Sequence, residues 1–249
     1  MATAADVRYG ELDADQIAET IDRLRQRIER RFPESGLARV CGELDRIAEK
    51  ARARATWIAR PILPLRVAVV LLSVLIMAGL LRTLSSIKAP TQAFQLVEFV
   101  QLLESGINDV VLVGAGIFFL VTLENRIKRH RALAAIQEMR AIAHVIDMHQ
   151  LTKDPEWVLG RGQETGVLPP RTMSAFELSR YLDYCSEMLS LTGKVAVLYI
   201  QHFDDDVALA GVNDVENLTN GLSRKIWQKL MVLHAGDARG PNSLPPAVP

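Results

Sequence analysis

The chain has 249 residues, with 29 basic and 29 acidic side chains and a formal net charge of zero. That length accommodates one or two ordinary domains, and nothing in the neutral overall balance favours nucleic-acid binding. Charge is unevenly spread along the chain: between Pro61 and Leu81 the only ionisable side chain is Arg66.

Residues 1–12 show no periodicity and read as a flexible N-terminus. Asp13 then precedes a stripe of Ile17, Ile21, Leu24, Ile28 and Phe32, spaced four, three, four and four. That is one face of a helix. "PESG" interrupts it, because proline cannot continue a helix and glycine favours a turn. A second stripe follows at Leu37, Val40, Leu44, Ile47 and Ala51. Residues 13–59 therefore predict an antiparallel helical hairpin. Neither helix buries its stripe alone, so each must pack on its neighbour, on the C-terminal region or on another copy.

Residues 61–82 and 107–125 predict two transmembrane helices. A membrane-crossing helix needs about 20 mostly apolar residues. "VAVVLLSVLIMAGLL" and "VVLVGAGIFFLVTL" lack the polar stripe that a core helix of a soluble protein keeps. The first run starts some sixty residues in, too late for a secretion signal. Basic residues flank the pair on one side: Lys50, Arg52, Arg54, Arg60 and Arg66 before it, and Arg126, Lys128, Arg129 and Arg131 after it. Only Arg82 and Lys88 lie between the runs. The positive-inside rule then places both termini in the cytoplasm and residues 83–106 outside, in a bacterial-type inner membrane. The basic run after the second span has a second reading, as a surface for anionic lipid headgroups. Between the spans, Phe94, Val97, Val100 and Leu103 line one face of a stretch expected to lie flat on the outer leaflet as an amphipathic helix. The alternative is that it extends the second span.

No proline interrupts the chain from Val110 to Thr152, so that whole run reads as one rod of about 65 Å at about 1.5 Å per residue, of which residues 126–152 are the cytoplasmic continuation of the second span. Its stripe, Ala132, Ile136, Met139, Ala143 and Ile146, alternates steps of four and three like a coiled-coil seam. Pro155 is expected to end it. Residues 153–173 read as a loop. "GRGQETG" lacks the lysine and flanking elements of a phosphate loop. Ser174 and Glu177 form a capping box, opening a C-terminal cytoplasmic helical region over residues 174–234 with a bend at Gly193. Asp204, Asp205 and Asp206 start its last helix, whose apolar face is Val215, Leu218, Leu222, Ile226, Leu230 and Leu233. Residues 235–249 are rich in proline and glycine and read as a disordered tail.

"HVIDMHQLTKDP" places two histidines and two aspartates within twelve residues. With Ala143 as zero and about 100° per residue, Asp147 falls at about 40°, His144 at about 100° and His149 at about −120°. One helix cannot aim both histidines at one ion. His144 and Asp147, three apart, can touch. The plain reading is a polar pair at the seam's margin. The sharper one is half of a metal or proton site completed by His202 and Asp205. The acids of the DDD run also have a plain reading, as caps that oppose the helix dipole. Cys41 and Cys185 sit in helical patterns on the cytoplasmic side, where no disulfide is expected.

These features predict an all-α membrane protein: a two-span helical hairpin with a cytoplasmic bundle built from N- and C-terminal helices. No cofactor motif, catalytic elbow or paired-cysteine zinc motif is present. No Gly-Met-Asn-like loop, as in two-helix metal-ion channels, lies between the spans. Three function classes follow. The first is a self-associating scaffold, sensor or recruiting module without catalysis, partnered by the bilayer, by copies of itself and by a cytoplasmic protein. Small residues in the spans, Ala78-Gly79 and Gly114-Ala115-Gly116, favour close helix approach. The second is an oligomeric cation channel or transporter with Glu104 and Asp109 as an acidic outer ring. The third is a membrane-tethered metal-dependent hydrolase using His144, Asp147, His202 and Asp205.

Overall fold

A computed structural model describes residues 11–86, 96–158 and 173–237, and every regular element in them is helical. In chain order these are α1 (Ala14–Arg31), α2 (Gly36–Ala59), α3 (Leu63–Ser86), α4 (Leu96–Leu151), α5 (Pro155–Val158), α6 (Ala175–Leu198) and α7 (Asp206–Asp237). The N-terminal ten residues, most of the 153–173 loop, the tip of the connection between the apolar runs and the tail beyond 237 lie outside the described residues. The described residues fall into two compact units. One is made from residues up to Ile58 and from Ala132 onward, and the other from Ala59 to Arg131. Helix α4 contributes to both.

The first unit is a polar-surfaced bundle. Asp13 caps α1, its carboxylate accepting from the backbone N–H of Asp15 and Gln16. Ile17, Ile21, Leu24 and Ile28 are buried on one face, each worth roughly 1.5–3 kcal/mol against exposure. Phe32 ends the stripe and meets Tyr181 and Tyr184 edge-on, at ring-centroid distances of 5.5 and 6.3 Å. The N-terminal hairpin is thereby packed on the C-terminal helices. On α2, Cys41 and Ala48 are buried while Val40 is only half-buried. The buried face is thus rotated slightly from the one that the bulkiest apolar residues mark, because alanine and cysteine permit closer approach there. Ile136, Met139, Ala143 and Ile146 of α4 enter the same core. So do Leu182, Cys185, Met188 and Leu189 of α6, and Val212, Val215, Leu222 and Ile226 of α7.

Two sequence expectations change here. Pro155 does not only close α4; it opens the one-turn helix α5, a first-turn position where its missing N–H costs nothing. And α6 runs unbroken through Gly193. A Cβ there would lie 3.5 Å from Thr219 Oγ1, so this glycine marks the crossing of α6 and α7, not a bend. Lys229 of α7 donates from Nζ to the carbonyls of Gln150 (2.7 Å) and Lys153 (3.0 Å), satisfying orphaned acceptors at the end of α4.

The second unit pairs α3 with the first part of α4. Both helices are long and apolar enough to cross a membrane, and the most apolar stretch of each contains no buried residue. Leu71, Leu75, Leu112 and Phe118 are 64%, 70%, 75% and 74% exposed, which is the opposite of a soluble core helix. Helix α4 is continuous from Leu96, so residues 96–106 are its first turns and not a separate amphipathic helix. Gly106 is the only weak helix former there, and one glycine costs only about 1 kcal/mol in a helix interior. Two contacts set the α3–α4 register. Arg66 Nη2 lies 3.5 Å from Glu124 Oε1, and a Cβ on Gly116 would lie 3.3 Å from Leu72 Cδ2. As one number rises the other falls, so the pair is antiparallel. Gly114, by contrast, has open space where its Cβ would be. Gly116→Leu is therefore expected to wedge α3 from α4 and lower thermal stability in mild detergent by several degrees. Gly114→Leu should cost far less, and equal losses would contradict this register.

Candidate interaction groove

On α6, Ser179, Asp183, Ser186 and Ser190 follow steps of four, three and four and so share one face. On α7, Ser223, Trp227, Leu230 and His234 follow the same steps. The two faces line a groove of about 880 Å³, completed by Thr20 of α1 and by Phe176 at the start of α6. The α6 wall carries short hydroxyls and the α7 wall carries bulk. Leu191, Ile226 and Leu230 form an apolar floor. Trp227 and Met231 stand out from α7 at 62% and 61% exposure, and Phe176 at 64%.

Local sequence positions these groups. The capping box at Ser174 and Glu177 holds the first turn of α6: Glu177 accepts from the Ser174 N–H at 2.9 Å, while Ser174 Oγ accepts from the Glu177 N–H at 3.2 Å. Donation to its carboxylate from the Ser174 N–H, and from the Ser174 hydroxyl at 3.0 Å, holds the Glu177 carboxyl below its usual range. Phe176 beside it lies under the Arg31 guanidinium, 5.2 Å from the ring centroid. The groove's charges are largely matched within the chain. Arg180 pairs with Asp183 at 3.1 Å, Glu187 pairs with Arg27, and Lys194 donates to Ser190 at 2.8 Å. The rim is thus close to neutral, and what it offers a partner is a large apolar knob beside a hollow lined by hydroxyls, matched charges and an apolar floor.

The residues singled out in the sequence lie elsewhere. His144 is exposed, and Asp147 accepts instead from Gln150 Nε2 at 2.6 Å. Asp205 is committed to the start of α7, its Oδ1 accepting from the Ala208 N–H at 3.0 Å. His202 lines a separate hollow of about 360 Å³ with Asp13, Asp15 and Arg52. The structure does not bring His144, Asp147, His202 and Asp205 together, and no metal-holding group of three or more such side chains occurs among the described residues. Glu104 is exposed near the start of α4; the Asp109 side chain lies outside the described residues. Of the basic flank, Lys128 is buried and pairs with Glu124 at 2.8 Å, Arg126 is exposed, and Arg129 and Arg131 are half-buried. Cys41 and Cys185 are both buried, and loss of solvation pushes each thiol up to about 12. Thiols held so fully protonated are poor nucleophiles.

Trp227 had a signal in the sequence. It falls outside the apolar stripe of α7, four residues before Met231, where an amphipathic helix should be polar. The comparisons add no function: no protein-family model matches the chain, and no curated protein or solved structure is significantly similar to it.

Proposed function

We propose that the protein is an integral membrane scaffold of a bacterial-type inner membrane. Its α3–α4 hairpin spans the bilayer, both termini are cytoplasmic, and the polar bundle self-associates to recruit partners. The observation that carries the assembly part is the α6–α7 groove, with Trp227, Met231 and Phe176 exposed on α7 and α6 and a hollow between these helices. A second copy fits such a surface. A twofold interface uses the same patch on both subunits, and this patch contains both the knob and the hollow that would receive it. Its near-neutral rim lets two copies meet without like-charge repulsion. The membrane part is supported by two helices whose apolar side chains the chain itself leaves uncovered, which is the surface that lipid covers.

Light scattering in mild detergent tests the assembly. A dimer is expected at micromolar concentration. A buried tryptophan anchor is worth at least about 2 kcal/mol, so Trp227→Asp should weaken association by roughly thirtyfold or more. A monomeric wild type, or a dimer indifferent to the substitution, would remove the groove's role. Carbonate extraction tests the membrane part separately: the protein should stay in the pellet.

A further inference from the structure

The α3–α4 register gathers charge at one end of the apolar hairpin. Arg66 meets Glu124, and Leu72 meets Gly116 six residues further along α3 and eight back along α4. Continuing that antiparallel register brings residues 59–66 level with residues 124–131. These two stretches hold six basic side chains, Arg60, Arg66, Arg126, Lys128, Arg129 and Arg131, against one carboxylate, Glu124. The sequence of the other end, residues 82–109, holds Arg82 and Lys88 with Glu98, Glu104 and Asp109. With histidine neutral, the hairpin carries a net of five positive charges at one end and one negative charge at the other.

The basic end is divided in its tasks. Glu124 and Lys128 are nearly buried and neutralise each other at 2.8 Å, and Arg66 reaches the same carboxylate while its own side chain stays 59% exposed. Arg60 and Arg126 are exposed, one in the link just before α3 and one on α4. Exposed guanidinium groups on both chain segments therefore lie level with the start of the uncovered apolar surface of Leu63 and Val67. A guanidinium presents paired donors to a phosphate oxygen pair.

We propose that this end of the hairpin binds the phosphate headgroups of anionic glycerophospholipids, with Arg60, Arg66 and Arg126 each offering an exposed guanidinium at the headgroup level and the exposed face of α3 as the track for an acyl chain. The proposal rests on the membrane reading above. A soluble phosphate shares the headgroup chemistry but has no use for the adjoining apolar surface, and that distinguishes the two sources.

Native mass spectrometry of the full chain in mild detergent, offered equal amounts of phosphatidylglycerol and phosphatidylcholine, tests it. Preferential retention of phosphatidylglycerol is expected. Each basic group near an anionic surface is worth about fivefold in binding, so Arg60→Gln and Arg126→Gln should each lower the preference about that much. Arg82→Gln, at the opposite end, should leave it unchanged. Glu124→Gln, which adds a net positive charge, should raise the preference, with helical circular dichroism confirming that each variant is folded. Equal retention of the two lipids by the wild type would overturn the proposal, as would an equal loss in Arg82→Gln. Complete displacement of phosphatidylglycerol by millimolar inorganic phosphate would also overturn it, by assigning the site to the soluble anion. Carbonate extraction separates the two failures. A protein that leaves the membrane fraction refutes the membrane reading, whereas equal lipid retention by a protein that stays there refutes only this site.

Discussion

Arg25→Met is expected to lower the melting temperature of the protein in mild detergent by about 6–12 °C. The guanidinium of Arg25 joins three carboxylates: Nε donates to Asp45 at 2.8 Å, Nη1 to Glu29 at 2.9 Å and Nη2 to Asp22. Asp45 reaches it from α2, and its side chain is only 13% exposed. Burial pushes the Asp45 carboxyl above its usual range, even with Arg25 opposing the shift. Removing the arginine leaves a largely buried carboxylate without its partner, a defect of about 3 kcal/mol. For a chain of this size that corresponds to the drop stated. Replacing both residues, Arg25→Met with Asp45→Leu, removes the stranded charge and should recover most of the loss. A drop of only a degree or two in the single variant would mean that the bridge behaves as an exposed ion pair, worth less than about 1 kcal/mol.

The second expectation concerns acid. His149, near the end of α4, packs against Gly36 at the first position of α2, so closely that a Cβ on Gly36 would overlap its Cε1. Loss of solvation lowers its pKa, and the cations Arg39 and Lys153 lower it further. The unfolded chain therefore binds a proton near the ordinary histidine value of about 6.5, while the folded chain resists it. Between those two values the unfolded state holds more protons, so stability rises with pH through the window and is lost as pH falls below about 6.5. The wild type should melt at a lower temperature at pH 5.5 than at pH 7.5. His149→Gln, of similar size and without a titrating ring, should show a smaller difference. A variant that keeps the full acid sensitivity would assign the effect to other groups.

The parts of this molecule that sequence disclosed are those set by a single helix. The α1 stripe, the Ser174 capping box and the two apolar runs are local patterns, and the helices carry them as their spacing predicts. What stayed hidden depends on which helix meets which. The register of α3 and α4 rests on Leu72 filling the space beside Gly116, while the equally small Gly114 faces nothing; composition does not distinguish the two. The start of α4 at Leu96 was misread because an amphipathic stretch and the first turns of a longer helix share the same periodicity. Spacing on one helix separates the two histidines and lets His144 touch Asp147, yet which neighbour each group takes is a matter of packing: Asp147 accepts from Gln150, and His149 packs on Gly36. The groove was missed because its α6 wall is mostly serines and charged side chains, which a search for apolar faces passes over.

If the α3–α4 hairpin spans a membrane in the orientation proposed above, its lopsided charge has an energetic consequence. Carrying one elementary charge across a potential of 100 mV costs about 2.3 kcal/mol. Turning the hairpin over would drag five net positive charges outward against an interior-negative potential, at more than about 11 kcal/mol, and would bring the acidic end inward at further cost. Respiration would thus act as a ratchet on topology, holding the hairpin in the orientation in which it first entered.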